Sequence, residues 1–471
     1  MTNKSLQLVL AAVSGALLAN TNAWATNGML MEGYGPESTA MGGASVGFEN
    51  GAAGMINNPA TLGMLPDNST RLDISLGNLR PDVTSTIPTP QGFQKAKSGG
   101  DSYILPAGGF VKRKGPMSYG FGVFAQGGMG TEYSDNGPLQ GARSEVSVGS
   151  LLAPLAYKVN DAFTLGGTLQ YTWGGMDLIM GMPLFAPDGS AAPGTFADFS
   201  SDFGGSNVLG SASGTLLQGF GQLLQSIPQE QLPNHSAVFD FSNSSDFTGK
   251  ASGAGVTAKL GMTWEVTPQA TFGATYQAKT NMSDWDGKGT MSVINGADGS
   301  VVASFPGTYT VKDFQFPAVL TLGVGFKAND RLLLAMDVSQ IDWSDTMSTF
   351  DLNFSTNTEQ GPAEADVSMN QEWDDQTVVK IGAAYQANDN LTLRAGANIA
   401  NNPVPDEYMN PLFPAIIENH YTAGFSYQFN KQSGIGASLV FAPEVKQTNS
   451  NTQVTTKHSQ TNLQIMYSYN F

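Results

Sequence analysis

From about residue 70 to its C-terminus the chain alternates large apolar side chains with small or polar ones, the period of an extended strand with two unlike faces. Leu165, Gly167, Leu169, Tyr171 and Trp173 face one way, and Gly166, Thr168, Gln170 and Thr172 the other. The same phase recurs over 256–264, 320–326, 391–399, 421–429 and 463–471. Each stretch is about ten residues or longer, with aromatic residues near its ends, as in the interfacial girdles of membrane barrels. No apolar run reaches the ~20 residues that a helix needs to cross a bilayer. A membrane can then be crossed only by strands, and strands in lipid must close on themselves to leave no unpaired edge. A soluble β protein would alternate too, but strand length, aromatic ends and an export signal favour an all-β, transmembrane antiparallel barrel.

Composition agrees. Only 13% of residues are charged and the mean hydropathy is −0.14, too little charge for an ordinary soluble protein and too polar for a helical membrane protein. The 56 glycines, with many Ser, Thr and Asn, suit strands and polar turns. Short connections at Asn160-Asp161, Thr267-Pro268, Asn329-Asp330, 388–390 and 430–432 are interleaved with long ones near 80–100, 127–143, 175–247, 283–308, 345–372, 401–418 and 443–457. Such asymmetry puts the short turns in the periplasm and the long loops outside the cell. About fourteen strands are predicted. They start near 71, 101, 117, 144, 162, 250, 270, 308, 317 or 331, 374, 390, 419, 434 and 459, and Pro306 and Pro317 leave the count open by two.

The N-terminus reads as a cleaved signal peptide over 1–25: Lys4, an apolar stretch from Leu6 to Leu18, then Ala23-Trp24-Ala25 as a small-x-small cleavage site. The mature chain would start at Thr26, in a 26–66 segment rich in Gly, Ala, Asn and Met that lacks alternation; the barrel proper occupies 67–471. Within the longest loop, Leu216, Phe220, Leu223 and Ile227, joined by Leu217 and Leu224, fall at helical spacing between Gly214 and Pro228.

Several function classes drop out. A formal net charge of −17 provides no footprint for nucleic acid. The acids gather in loops, as at Asp342, Asp345, Asp374 and Asp375, where they aid solubility or face a cation-rich outer surface. With no cysteine there is no disulfide or thiolate metal site, and no metal cluster or cofactor motif is visible. The three histidines are His235 and His458, which fall in loops, and His420, which begins a strand. None joins a serine and an acid in a nucleophile setting, so an enzyme is not expected.

Residues 26–66 carry Ala40-Met41-Gly42-Gly43-Ala44 and then Asn58-Pro59-Ala60 just before the first strand. Downstream come Pro317-x-x-Leu320 leading to Asp337 and Trp343, then Asn402-Pro403-Val404-Pro405-Asp406, then Phe413-Pro414-Ala415-Ile416-Ile417-Glu418-Asn419-His420. Together these resemble the FadL-type outer-membrane transporters of long-chain fatty acids, whose TodX-like branch carries aromatic hydrocarbons. The resemblance implies a fourteen-stranded barrel, with the leading segment folded inside as a hatch and a kinked third strand that opens the wall sideways. It implies that Asn58, Pro59 and Ala60 meet that kink, for which Gly127, Gly128 and Gly130 are the candidates. An ordinary glycine-rich turn, and a simple turn before the first strand, are the plainer readings of these two motifs.

Passive uptake of hydrophobic molecules is the function this implies, with long-chain fatty acids first; aromatic-hydrocarbon uptake and a general polar porin are the alternatives. Each buried CH₂ is worth about 0.8 kcal/mol, so an apolar groove captures such molecules without an energy source. Met29, Leu30 and Met31 are candidates for an inner site or for hatch packing, since methionine adapts to varied apolar guests. Leu216, Phe220, Leu223, Leu224 and Ile227 are candidates for outer capture or for packing on their own loop. A fatty-acid carboxylate would want a cation, and Lys259, Lys380 and Arg394 point into the lumen by phase, where acids such as Glu265 and Asp337 are rival partners. Expected partners are fatty acids or hydrocarbons, outer-membrane lipids and lipopolysaccharide, and the barrel-assembly machinery through the terminal Phe471. The resemblance also implies a monomer.

Overall fold

A computed structural model describes residues 27–133, 137–199, 203, 205, 207–225, 227–245 and 249–471, the side chains of 221–225 excepted. The signal peptide and its cleavage site lie outside the described residues. Among those described, fourteen antiparallel strands close into one ring: β1 (Thr70–Thr89), β2 (Tyr103–Lys114), β3 (Met117–Glu132), β4 (Arg143–Lys158), β5 (Phe163–Pro183), β6 (Ala251–Thr267), β7 (Ala270–Gln277), β8 (Val319–Asn329), β9 (Leu332–Ile341), β10 (Gln376–Gln386), β11 (Leu391–Ala400), β12 (His420–Gln428), β13 (Ser433–Thr448) and β14 (Thr455–Asn470). Each pairs with its neighbour in sequence, and β14 pairs with β1 from Arg71↔Asn470 to Thr86↔Thr455, which closes the wall.

Burial is inverted relative to a water-soluble protein. Leu169, Leu260, Ile74 and Leu155 are more than half exposed, while Gln170, Thr172, Ser150 and Asn398 are fully buried. Apolar side chains face outward because their solvent there is lipid; polar ones face a lumen filled by other parts of the chain. Aromatic residues mark both rims, Tyr157, Trp264, Tyr385 and Phe429 beside the short turns and Trp173, Tyr421 and Phe441 on the far side. From Phe163 to Trp173, at ~3.3 Å per residue and a tilt of ~40°, the band between rims is ~25 Å tall, a bilayer's hydrocarbon core.

Two expectations about the strands change. The strand expected near 308 exists, Val301–Lys312, but it lies outside the ring, and the positions near 317 and 331 both start wall strands, β8 and β9. Alternation reports a strand with one apolar face; it does not say whether that face meets lipid or a packed core. In Val301–Lys312 the apolar Tyr309 and Val311 are completely buried against other loops. The described parts of the long loops accordingly carry regular structure. Continuing from the top of β5, a second sheet runs through His235–Phe241, Trp285–Asn295, Val301–Lys312, Thr349–Thr358, Gly361–Asn370 and Gly210–Ser213. His235 begins a strand of that sheet, and His458 lies in β14 rather than in a loop, because β13 and β14 continue to Thr448 and from Thr455. The wall stands well above the membrane there, and alternation above lipid carries no run of large apolar residues to mark it.

Residues 27–69 thread the lumen in short turns, including Pro36–Thr39, Gly54–Asn57 and Pro59–Met64. Most of this segment is buried. Inward-facing wall glycines make room for it. A Cβ on Gly166 would strike the backbone of Pro59 and Ala60, and one on Gly382 would strike Met41.

Candidate functional site

The wall has a window. The β2–β3 ladder runs from Lys114↔Met117 to Ala107↔Phe124 and stops, while Tyr103, Ile104, Leu105 and Pro106 pair with β1 alone. At the same level the β3–β4 register shifts between Ala125 and Gly127, leaving Gln126 as a bulge that bends β3 away. Contact resumes higher up, where Gly99 N–H donates to Glu132 O (2.7 Å) and Glu132 N–H to Ser98 Oγ (3.0 Å). Gly127 and Gly128 stand at the bend. Gly127 has φ 154°, and a side chain on it would collide with the carbonyl of Met29. The glycines are needed for close approach as much as for bending.

The hatch's leading end fills the window from inside. Leu30 forms an isolated antiparallel bridge with Gly127, and Tyr34 Oη donates to Gln126 O at 2.8 Å. Met29 is 2% exposed, and Gly28 lies against the indole of Trp343, which meets Trp373 edge to face at 5.1 Å. Asn58, Pro59 and Ala60 do not meet the kink. Asn58 Oδ1 accepts from Ala60 N–H (3.0 Å), and its Nδ2 donates to Val46 O (2.8 Å) and Met262 O (3.1 Å). The motif therefore sits on β5 and β6, seated against Gly166 and Gly261. Those two glycines let backbone approach backbone there, whereas the kink is reached by Leu30 and Tyr34.

Between leading end and window lies a cavity of about 100 Å³. Met29, Leu30, Met31, Leu79, Leu105, Met129, Val146, Pro414 and Ala415 line most of it, with Glu32, Tyr103, Glu145, Ser147, His458 and Gln460 as polar members. No lysine or arginine is among the described lining residues. Glu145 is held by Arg143 at 2.7 Å, in a network with Glu132 (2.9 Å) and Asp177 (3.9 Å). None of the three cations picked out from sequence is among the described lining residues of this cavity. Lys259 Nζ donates to Ile56 O, Arg394 Nη1 to Ser426 Oγ (2.7 Å), and Lys380 stands opposite Asp337 in the β9–β10 register. Asp337 itself accepts from Ser45 N–H (2.7 Å) and Val46 N–H (3.1 Å). Outside the wall, just below the window, Ile74, Leu76, Pro106, Val123, Leu463 and Ile465 surround a lipid-facing hollow of about 610 Å³.

The 401–419 loop roofs the cavity. Val404, Met409, Leu412, Ile416 and Ile417 are buried, and its backbone is tied down by Tyr133 Oη to Pro411 O (3.0 Å), Asn449 Nδ2 to Met409 O (3.0 Å) and His458 Nδ1 to Pro414 O (2.9 Å). Farther out, the helix Thr215–Gln225 buries Leu216, Leu217 and Phe220 in the loop sheet, Phe220 lying 6.1 Å from Phe196 and 5.8 Å from Phe305. Ile227 packs half-buried on the same cluster, while the side chains of Leu223 and Leu224 lie outside the described residues. His458 and Gln460 were not picked out from sequence. Carrying the inward parity of Asn462 and Gln464 two steps upward along β14 would have found them.

Residues 12–470 match the family model described as outer membrane protein transport protein (OMPP1/FadL/TodX). Among solved structures, the toluene transporter TodX of P. putida aligns with a TM-score of 0.76 and 29% identity, covering 93% of this chain and 99% of that one. The toluene transporter TbuX of Ralstonia pickettii gives 0.72 and 29%, with the same coverage. A Pseudomonas aeruginosa FadL homologue gives 0.66 at 17% identity over 94% of this chain and 99% of that one, a likeness of fold. The chain spans about a third of the curated relative it matches, an uncharacterised protein of Chlorobium limicola, with 41% identity over 68 residues that make up 14% of this chain and 34% of that one.

Proposed function

This chain belongs to the OMPP1/FadL/TodX family of outer-membrane transport proteins, and from that premise we propose that it conducts small uncharged hydrophobic molecules, alkylbenzenes foremost, into the membrane through the window. The absence of lysine and arginine among the described residues of the window cavity carries this reading. A fatty-acid anion entering there would lose its water and meet the Glu32 carboxyl with no lysine or arginine among the described lining residues to pair with it, and burying an unpaired charge is costly. An aromatic hydrocarbon loses only its contact with water, which is the driving force. This reading puts aromatic hydrocarbons ahead of the fatty acids favoured from sequence. TodX and TbuX, by name toluene transporters, support the same order.

Transport needs no energy source. A guest enters past the aromatic loops and reaches Met29 and Leu30. It is larger than the present cavity, since benzene occupies an apolar cavity of about 150 Å³, so it enters by displacing the leading end. Displacement uncovers Gly127 and Gly128, and the guest leaves between β2 and β3 into the apolar hollow outside. The same reading includes export through a cleaved leader, recognition of the aromatic last strand ending at Phe471 by the assembly machinery, a lipopolysaccharide-facing rim, and action as a monomer.

Uptake by cells lacking their own carriers, with and without this protein, tests the proposal. Toluene uptake should become saturable and independent of pH. Faster uptake of a long-chain fatty acid than of toluene, or flux of sugars, would overturn it.

A further inference from the structure

The window cavity is mostly apolar, and among the described lining residues the buried polar atoms without a hydrogen-bond partner are the Glu32 carboxyl oxygens on the hatch and two nitrogens on β14. His458 and Gln460 are 7% and 6% exposed, and both line the cavity. Two residues apart on one strand, they point the same way about 7 Å apart. His458 Nδ1 contacts the carbonyl of Pro414 at 2.9 Å. A carbonyl oxygen only accepts, so Nδ1 carries the proton and, in the neutral ring, Nε2 is a bare acceptor. Among the described residues that Nε2 has no hydrogen-bond partner, nor has Nε2 of Gln460. Buried polar atoms without partners are uncommon and costly to keep. A purely hydrocarbon guest would leave both unmet.

We infer that His458 and Gln460 form a hydrogen-bonding subsite for a hydroxyl group, so that monohydroxylated apolar molecules of the alkylphenol or alkanol class are a further class of guest, held there more tightly than an alkylbenzene of the same shape. This deepens the transport reading above and rests on it. The hydroxyl hydrogen is donated to His458 Nε2, and the hydroxyl oxygen accepts from the Gln460 amide. The apolar body lies against Met29, Leu30 and Leu105. A carboxylate anion does not fit the subsite, because it offers His458 no proton.

Binding to the full-length protein in detergent micelles tests this with three probes of one shape: toluene, p-cresol, and 4-methylanisole, whose oxygen can accept but not donate. Wild type should bind p-cresol about tenfold more tightly than 4-methylanisole, the scale of one well-made buried hydrogen bond. In His458→Phe that ratio should fall to about one. In Gln460→Met, which keeps the His458–Pro414 contact, p-cresol and 4-methylanisole should both weaken several-fold. Toluene affinity should fall less than p-cresol affinity in both variants, and an unchanged heat-shift on gels would show that the barrels are folded. Equal affinity of wild type for p-cresol and 4-methylanisole would overturn the subsite, as would a parallel loss of toluene binding in folded variants. If none of the three probes binds wild type, the transport reading itself fails.

Discussion

The body of the hatch and its leading end are separated by a few residues and held in opposite ways. The body is bolted to the wall. Asn58 makes three hydrogen bonds, Asp337 accepts from two backbone amides, and Asp73 accepts from Ala52 N–H at 2.8 Å. Arg71 bridges Asp73 (2.9 Å), Glu37 (3.4 Å) and Glu49 (3.6 Å), tying two hatch acids to β1. The leading end has the Leu30–Gly127 bridge, the Tyr34 Oη–Gln126 O hydrogen bond (2.8 Å), a local turn from Leu30 N–H to Asn27 O (3.0 Å), and apolar contact around Met29. A hydrophobic guest can replace apolar contact; it cannot replace buried ion pairs. On the proposed route the difference makes opening local: the tip yields while the cork stays, and no water-filled pore is needed.

The largest way to break that contrast is Arg71→Ala. Removing the cation strands buried carboxylates, a loss of about 3–5 kcal/mol. The body should detach, with amide exchange rising across 37–53 and ion conductance appearing in planar bilayers. Asn58→Ala is milder, about 1–3 kcal/mol from unmet backbone groups. Faster exchange at Val46 and Ala60 should report it without conductance. Leu30→Ala should cost at most about 1 kcal/mol of thermal stability, yet raise toluene uptake roughly fivefold, the population shift that energy allows. Ion leakage from Leu30→Ala would erase the distinction between tip and body.

The smallest effect concerns the roof. Burial pushes the Glu418 carboxyl up to about 7. The folded loop favours the protonated form, so its hold is complete below the ordinary carboxylate range and fades as pH rises through about 7. Proteolytic nicking within 401–419 should increase modestly from pH 6 to pH 8, and Glu418→Gln should flatten the profile.

Most of the wall was legible because lipid on one side and a polar lumen on the other enforce strict alternation, as in 163–173. The short Asn- and Asp-containing turns marked one rim of the barrel for the same reason. What escaped was whatever depends on a partner far away in sequence. Val301–Lys312 alternates like a wall strand, and only the company of Phe241 (4.8 Å) and Phe354 (4.6 Å) around Tyr309 shows that its apolar face meets a packed core. Glycine at 166 or 261 looks like any glycine in a strand; its purpose appears once Asn58 and Pro59 lie against it. Gly127 and Gly128 were candidates from local composition and the family resemblance, but that Gly127 meets Leu30 rather than Asn58 is a matter of how the hatch coils inside the barrel.

Exit through the wall can be tested by plugging it from the lipid side. Ile104 faces outward at the window edge and is 41% exposed, while Leu169 faces lipid on β5 and is 63% exposed. Each is changed to cysteine in turn, in a chain with no cysteine of its own, and coupled to the same bulky apolar maleimide, and toluene uptake is measured. Lateral exit requires a drop of tenfold or more with the adduct at 104 and none with the adduct at 169. Unimpaired uptake with the window blocked would mean that the molecules leave by another route.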